Sequence, residues 1–169
     1  MKQYLCALTL GALLAKGCGG LDAQRQASDL LILYTNAQYR FTFRLPASWR
    51  GYSVLTQGWE GVAYLPAKDR AVAVEHGPVL VLRHPQWKAD KPYQDIPVLV
   101  LTRSQWQREC EGKFGIGAGG FDEEIGHNSE YVFAVSSRFN AADEVGGWKE
   151  ASEAVERNRA SNGPPLVRR

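Results

Sequence analysis

The chain has 169 residues, with 20 Lys and Arg against 18 Asp and Glu, a length that fits one globular domain with terminal segments to subtract. Without residues 1–17, which carry Lys2, Lys16 and no acid, the balance is 18 basic against 18 acidic residues. A net charge of about zero gives no electrostatic ground for nucleic-acid binding, so no such partner is expected.

Residues 1–17 read as an export signal. Met1-Lys2 form a short basic start, and Tyr4 to Ala15 an apolar run of about a dozen residues. A bilayer span needs roughly 20. The segment "LLAKGCGG" resembles a bacterial lipoprotein signal, in which small residues precede a cysteine that is acylated and becomes the N-terminus. Gly17 and Cys18 fit that pattern, while Leu14 stands one place early and Lys16 is an unusual polar residue in it. Cys18 is therefore the expected lipid attachment site, and the expected location is the cell envelope of a bacterium. The alternative is plain secretion to a soluble or periplasmic state, because Ala15 and Gly17 also suit a general signal peptidase. Residues 18–29 are expected to be a flexible tether.

Three cysteines occur, at positions 6, 18 and 110. Cys6 leaves with the signal and Cys18 carries the lipid, so Cys110 has no partner and the domain is no disulfide scaffold. With Cys18 unmodified, a Cys18–Cys110 bridge stays open.

A single domain is expected over residues 30–160. "LLILYT" suits a buried strand, and "YRFTFRL" alternates, with Tyr39, Phe41, Phe43 and Leu45 on one face and Arg40, Thr42 and Arg44 on the other. Pro46 ends that strand, and "ASWRG" turns the chain with Trp49 inward. "YSVLTQ" and "WEGVAYL" are expected as two strands joined near Gly58, followed by a surface loop, "PAKDRA". Two near copies come next, "PVLVLRHPQW" from Pro78 and "PVLVLTRSQW" from Pro97. Each opens as a strand apolar on both faces, as in a covered sheet. His84-Pro85 steers the first copy away from helix. Thr102 with Gln105, and Ser104 with Gln107, give the second capping-box spacings.

The helix that follows carries Trp106, Cys110 and Phe114 at four-residue steps, which makes Cys110 structural filler. "FGIGAGGFDEEIGHN" is expected as a glycine-rich loop and "EYVFAVSSRF" as a strand. "NAADEVGGWKEASEAVERNRAS" supplies a final helix with Trp148, Ala151, Ser152 and Val155 inward. Residues 161–169 form a mobile tail. The fold class is α+β, a mainly antiparallel sheet of about six strands flanked by helices.

The run "YRFTFRLPASWRGY" resembles the aromatic–strand–Pro–Trp signature of PsbP-like domains, a group that includes an extrinsic photosystem protein and a nuclear-import Ran-binding protein. Tyr39, Phe41, Pro46 and Trp49 match, and Arg40 stands where the signature has glycine. "RHPQWKADKPYQDIPVLVLTRSQW" and "GHNSEYVFAVSSRFN" are more similar to uncharacterised bacterial lipoproteins, over roughly residues 30–155. The resemblance implies an α/β/α sandwich and brings no catalytic residues. A shared fold does not fix a function.

Chemistry-bearing motifs are sparse. "GIGAGG" lacks the spacing and the Lys-Ser/Thr of a phosphate loop. His76, His84 and His127 show no zinc-ligand spacing, so neither metal nor cofactor is expected. Ser136-Ser137 lack the glycines of a nucleophile elbow. Trp49, Trp106 and Trp148 are assigned to the core, leaving Trp59 and Trp87 as the exposed aromatics. The expected function is a non-enzymatic protein- or ligand-binding module with an envelope partner. Its surface is His84, Trp87, Asp122, Glu123 and His127, on the loops His84–Pro92 and Gly115–His127. The alternative is an extracytoplasmic hydrolase using the Asp122–Glu124 carboxylates with His84 or His127.

Overall fold

The computed structural model describes residues 31–117, 122–137, 139 and 145–161. The expected signal, Cys18, the tether and most of the C-terminal tail lie outside these residues. The described residues belong to one compact unit, Leu31–Arg169.

The first hairpin pairs β1 (Ile32–Asn36) with β2 (Phe41–Leu45), in register from Ile32 against Leu45 to Asn36 against Phe41. The expected alternation in β2 holds: Phe41, Phe43 and Leu45 are buried and Thr42 is exposed. In the turn, Asn36 Oδ1 accepts the Tyr39 N–H at 3.0 Å, and Arg40 takes φ +52°. That left-handed conformation is costly for a residue with a Cβ and free for glycine. Pro46 ends β2, and a 3-10 turn at Ala47–Trp49 buries Trp49 completely.

The main sheet has six antiparallel strands in the order β6-β3-β4-β5-β8-β7. Two long strands, β3 (Ser53–Leu65) and β4 (Arg70–Arg83), form its largest hairpin. The two strands expected within residues 52–65 are one, and β4 begins well before Pro78. Gly58 pairs across the ladder with Pro78 and makes no turn. The neighbouring glycines serve close packing instead. A Cβ at Gly77 would come within 2.6 Å of the Trp59 ring, and one at Gly61 within 2.4 Å of Phe114. A bulge between Gly61 and Val62 bends the hairpin, and a 3-10 turn at Pro66–Lys68 closes it.

The two "PVLVL" copies are sheet neighbours. Val79–Leu82 of β4 pairs with Ile96–Leu99 of β5 (Ile96–Thr102). Their alternate residues enter two cores: Leu80, Leu82, Val98 and Val100 one, and Val79, Val81, Leu99 and Leu101 the other. α1 (Arg103–Cys110) starts at the predicted capping box, with the Gln105 N–H donating to Thr102 Oγ1 at 3.2 Å and the Thr102 N–H to Gln105 Oε1 at 3.0 Å. The helix ends at Cys110, so Phe114 is not on its stripe. It enters the core from beyond the helix, parallel to Trp59 with ring centroids 6.2 Å apart.

The expected glycine-rich loop contains two strands, β6 (Gly115–Ile116) and β7 (Asp122–His127), the second paired with β8 (Tyr131–Ser136). β6 and β7 are opposite edges of the sheet. Six residue steps from Ile116 to Asp122 reach at most about 22 Å, whereas five flat strand spacings need about 24 Å. The sheet is accordingly curled into a half-barrel. Trp106 of α1 packs in the second core, on one face of the sheet. α2 (Trp148–Ser161) and the β1–β2 hairpin cover the other, with Ala151, Ala154 and Val155 in the first core. The architecture is α+β: six antiparallel strands, two helices and a small two-stranded sheet among the described residues.

Candidate functional site

His84 directly follows the long β4 strand and is only 2% exposed. The Tyr93 ring stacks on its imidazole, centroids 4.1 Å apart and 21° between planes, and Trp49 meets it edge-on at 4.9 Å. Nδ1 accepts the Gln86 N–H at 3.1 Å, which leaves the proton of a neutral imidazole on Nε2. Nε2 lies 4.0 Å from Glu150 Oε2, beyond hydrogen-bond range, and among the described residues it has no hydrogen-bond partner; neither has Trp49 Nε1 beside it. Burial lowers the His84 pKa below its ordinary value, and the Glu150 carboxylate opposes that shift. Tyr93 is pushed upward by burial first and by Glu150 second. Gly147 is obligatory here: its φ is +77° and a Cβ would come within 1.9 Å of the Tyr93 ring. His84 is thus a core residue, contrary to the expected binding surface, while Trp87 is half-buried beneath the Arg83 guanidinium, 3.8 Å from its ring. Trp59, expected outside, is buried and donates from Nε1 to the Val100 carbonyl at 3.0 Å.

The acids of "DEEIGH" sit on an edge strand, not on a solvated loop. Strand alternation buries Asp122 and Glu124 and exposes Glu123. Register puts Asp122, Glu124 and His127 on the sheet face of Ser136, Ala134 and Val132, and Glu123 on the face of Val135, where Arg159 of α2 binds it at 2.5 Å. Glu124 Oε1 and His127 Nδ1 are 2.6 Å apart. Of the expected surface residues, then, Glu124's partner His127 and the exposed Glu123 belong to one strand edge. His84 sits at the far end of β4 in a separate cluster, and Asp122 is 1% exposed. Among the described residues, no three His, Cys, Asp or Glu side chains are placed to hold a metal ion.

Two surface features escaped the sequence reading. One is a recess of about 240 Å³ between the edges of β2 and β7, lined by Arg40, Phe41, Thr42, Arg44, Gly126, His127 and Phe133. Asparagines frame it. Asn158 of α2 holds the Arg44 backbone through both polar groups, and Asn128 donates to the Tyr39 carbonyl at 2.8 Å. The alternation of Arg40, Thr42 and Arg44 marked a polar face in the sequence, but nothing in it announced a second strand edge opposite.

The other is the β3–β4 hairpin. The outer edge of β3 is paired by β6 at Gly61 and Val62 only, leaving Ser53–Glu60 without a neighbouring strand among the described residues. Val62, Tyr64 and Val74 are exposed near the tip, Tyr64 by 61%. A broad trough lined by Trp59, Val62, Ile116 and Gly117 lies beside this edge. Among the described residues no helix is long and apolar enough to cross a membrane. No protein-family model, curated protein or solved structure matches the chain.

Proposed function

We propose that this is a non-enzymatic binding module of the bacterial cell envelope, attached to the membrane by a lipid on Cys18 and built as a PsbP-like α/β/α sandwich. Helices on opposite faces of the sheet support the sandwich reading. The ligand is an extended segment of another envelope protein, which adds a strand to β3.

The open edge of β3 carries this reading. Natural edge strands are commonly guarded against pairing by Lys, Pro, bulges or shortness. Ser53–Glu60 has no Lys, no Pro and no bulge, and runs eight residues with Glu60 as its one charge. A row of backbone groups with no neighbouring strand among the described residues selects an extended chain, and the trough beside it, lined by Trp59, Val62 and Ile116 together with Glu60 and His76, takes alternate side chains of that chain. The surface expected on the Gly115–His127 segment moves accordingly, to Ile116 and Gly117 at the end of β6 and to β3 itself.

A photo-crosslinking residue at Gln57 in native envelopes tests it. The adduct is expected to map to one extended segment of a partner, and a synthetic peptide of that segment to slow amide exchange across residues 53–60. Thr56→Lys with Gln57→Lys, both at exposed positions, should abolish that protection without changing the circular dichroism. A cross-link to a second copy alone, or protection indifferent to the lysines, overturns the assignment.

The hydrolase reading retains one specific support, the Glu124–His127 pair, a carboxylate orienting an imidazole. Among the described residues that line the recess beside it, neither Asp122 nor Glu124 appears.

A further inference from the structure

We propose that the recess between β2 and β7 binds a compact oxyanion, a phosphate or carboxylate group carried by a small molecule or by a lipid headgroup. Thr42 and Arg44 alternate with the buried Phe41, Phe43 and Leu45 along β2, and Arg40 stands in the turn just before it; all three line the recess. Among the described residues no carboxylate lines the recess. The acids bonded to its rim residues are Glu130, held by Arg40, and Glu124, held by His127. Arg44 has no ion-pair partner among the described residues, so the rim carries an uncompensated guanidinium. Guanidinium forks suit oxyanions in two-point geometry.

The site is framed from behind. Asn158 fixes the backbone of Arg44 with bonds of 2.8 and 2.9 Å, and Asn128 fixes the chain at Tyr39 and Arg40 with bonds of 2.8 and 3.4 Å. The two arginines therefore project from backbone pinned at the turn before β2 and near its end, which limits the ordering cost of binding. Below them Phe41 and Phe133 stack at 4.0 Å and seal the floor. A volume of about 240 Å³ admits a group of a few heavy atoms with some water, given about 30 Å³ per water molecule.

Full-length protein labelled with ¹⁵N is titrated at low ionic strength with inorganic phosphate, with succinate, and with phosphatidylglycerol vesicles, neutral phosphatidylcholine vesicles serving as control. The expected result is saturable movement or loss of the Thr42 and Gly126 amide signals. Arg44→Gln is expected to weaken it about tenfold or more, and Arg40→Gln to weaken it less because Arg40 already holds Glu130. Arg103→Gln, at the start of α1, should leave it unchanged. A response to free phosphate or succinate assigns the group to a solute, and a response to phosphatidylglycerol vesicles alone assigns it to a headgroup. The proposal is overturned by no saturable response to any anion, by equal response to neutral vesicles, or by affinity that Arg44→Gln and Arg40→Gln leave intact. None of these readouts depends on the β3 edge.

Discussion

Asn158 completes the backbone of Arg44. The Arg44 N–H donates to Asn158 Oδ1 at 2.8 Å, and Asn158 Nδ2 donates to the Arg44 carbonyl at 2.9 Å and to the Ala154 carbonyl at 2.8 Å. A side-chain amide thus takes the place of a third strand beside β2, and it is itself fully buried on α2. Without it two backbone groups at a helix–sheet interface lose their partners, and each such loss costs about 1–3 kcal/mol when water cannot substitute. Asn158→Ala is expected to destabilise the domain by about 3 kcal/mol in urea unfolding. Asn158→Asp should cost at least as much, since it keeps the acceptor but loses the donor and brings a charge inside. A loss below 1 kcal/mol for both would mean that solvent reaches the Arg44 backbone.

The Trp59 ring lies against Gly77, whose place on β4 leaves no room for a side chain. An added Cβ would stand 2.6 Å from the ring. Trp59 cannot simply swing aside, because its Nε1 is bonded to the Val100 carbonyl and its plane is parallel to Phe114. Gly77→Ala is expected to cost about 3 kcal/mol, near the upper end for overpacking, and to change the fluorescence of the folded state. Trp59→Phe should recover part of that loss in the Gly77→Ala background, by freeing the space the indole occupies. Additive effects of the two substitutions would show that they do not share one clash.

The central strands were legible because their alternation and apolar character come directly from burial on two faces. Phe41, Phe43 and Leu45, the paired "PVLVL" copies and the Thr102–Gln105 box all depend on neighbours close in sequence or on periodicity. Glycine reads as a break at 58, where the ladder runs straight through, and gives no sign at 61 and 77, where it makes room for rings that arrive from Phe114 and Trp59, a tertiary cause. Glycines around "FDEEIGH" also hid a strand, so the buried Asp122 and Glu124 passed for a solvated face. In α2 the inward stripe was half found: Ala151 and Val155 are buried, but Trp148 and Ser152 flank the interface while Ala154 and Asn158 complete it. A polar residue inside a helix looks solvated unless the backbone it serves is known, and that backbone lies 114 residues away. The recess and the open β3 edge are juxtapositions of strands, which no local pattern encodes.

His84 should make stability depend on pH in one direction. Its pKa in the fold is held below the ordinary value by burial, against the weaker pull of the Glu150 carboxylate. The folded state therefore keeps the imidazole neutral where the unfolded chain, with a pKa of about 6.5, takes up a proton. The unfolded state binds more protons in that range, so stability rises with pH. The His84 contribution is fully present above about pH 6.5 and is lost as pH falls toward and through the depressed pKa, at no more than about 1.4 kcal/mol per pH unit for one proton. Protonation also ends the acceptance of the Gln86 N–H at Nδ1, so the turn after β4 should loosen together with the ring. His84→Phe is expected to be less stable at pH 7.5, because the Gln86 N–H loses its acceptor, but to show a shallower loss between pH 6.5 and pH 4.5. Glu150→Gln should steepen that loss, since it removes the charge that favours the imidazolium. Urea unfolding of the three proteins across this range decides the matter: parallel curves would place the acid sensitivity on other groups and leave His84 uncoupled from folding.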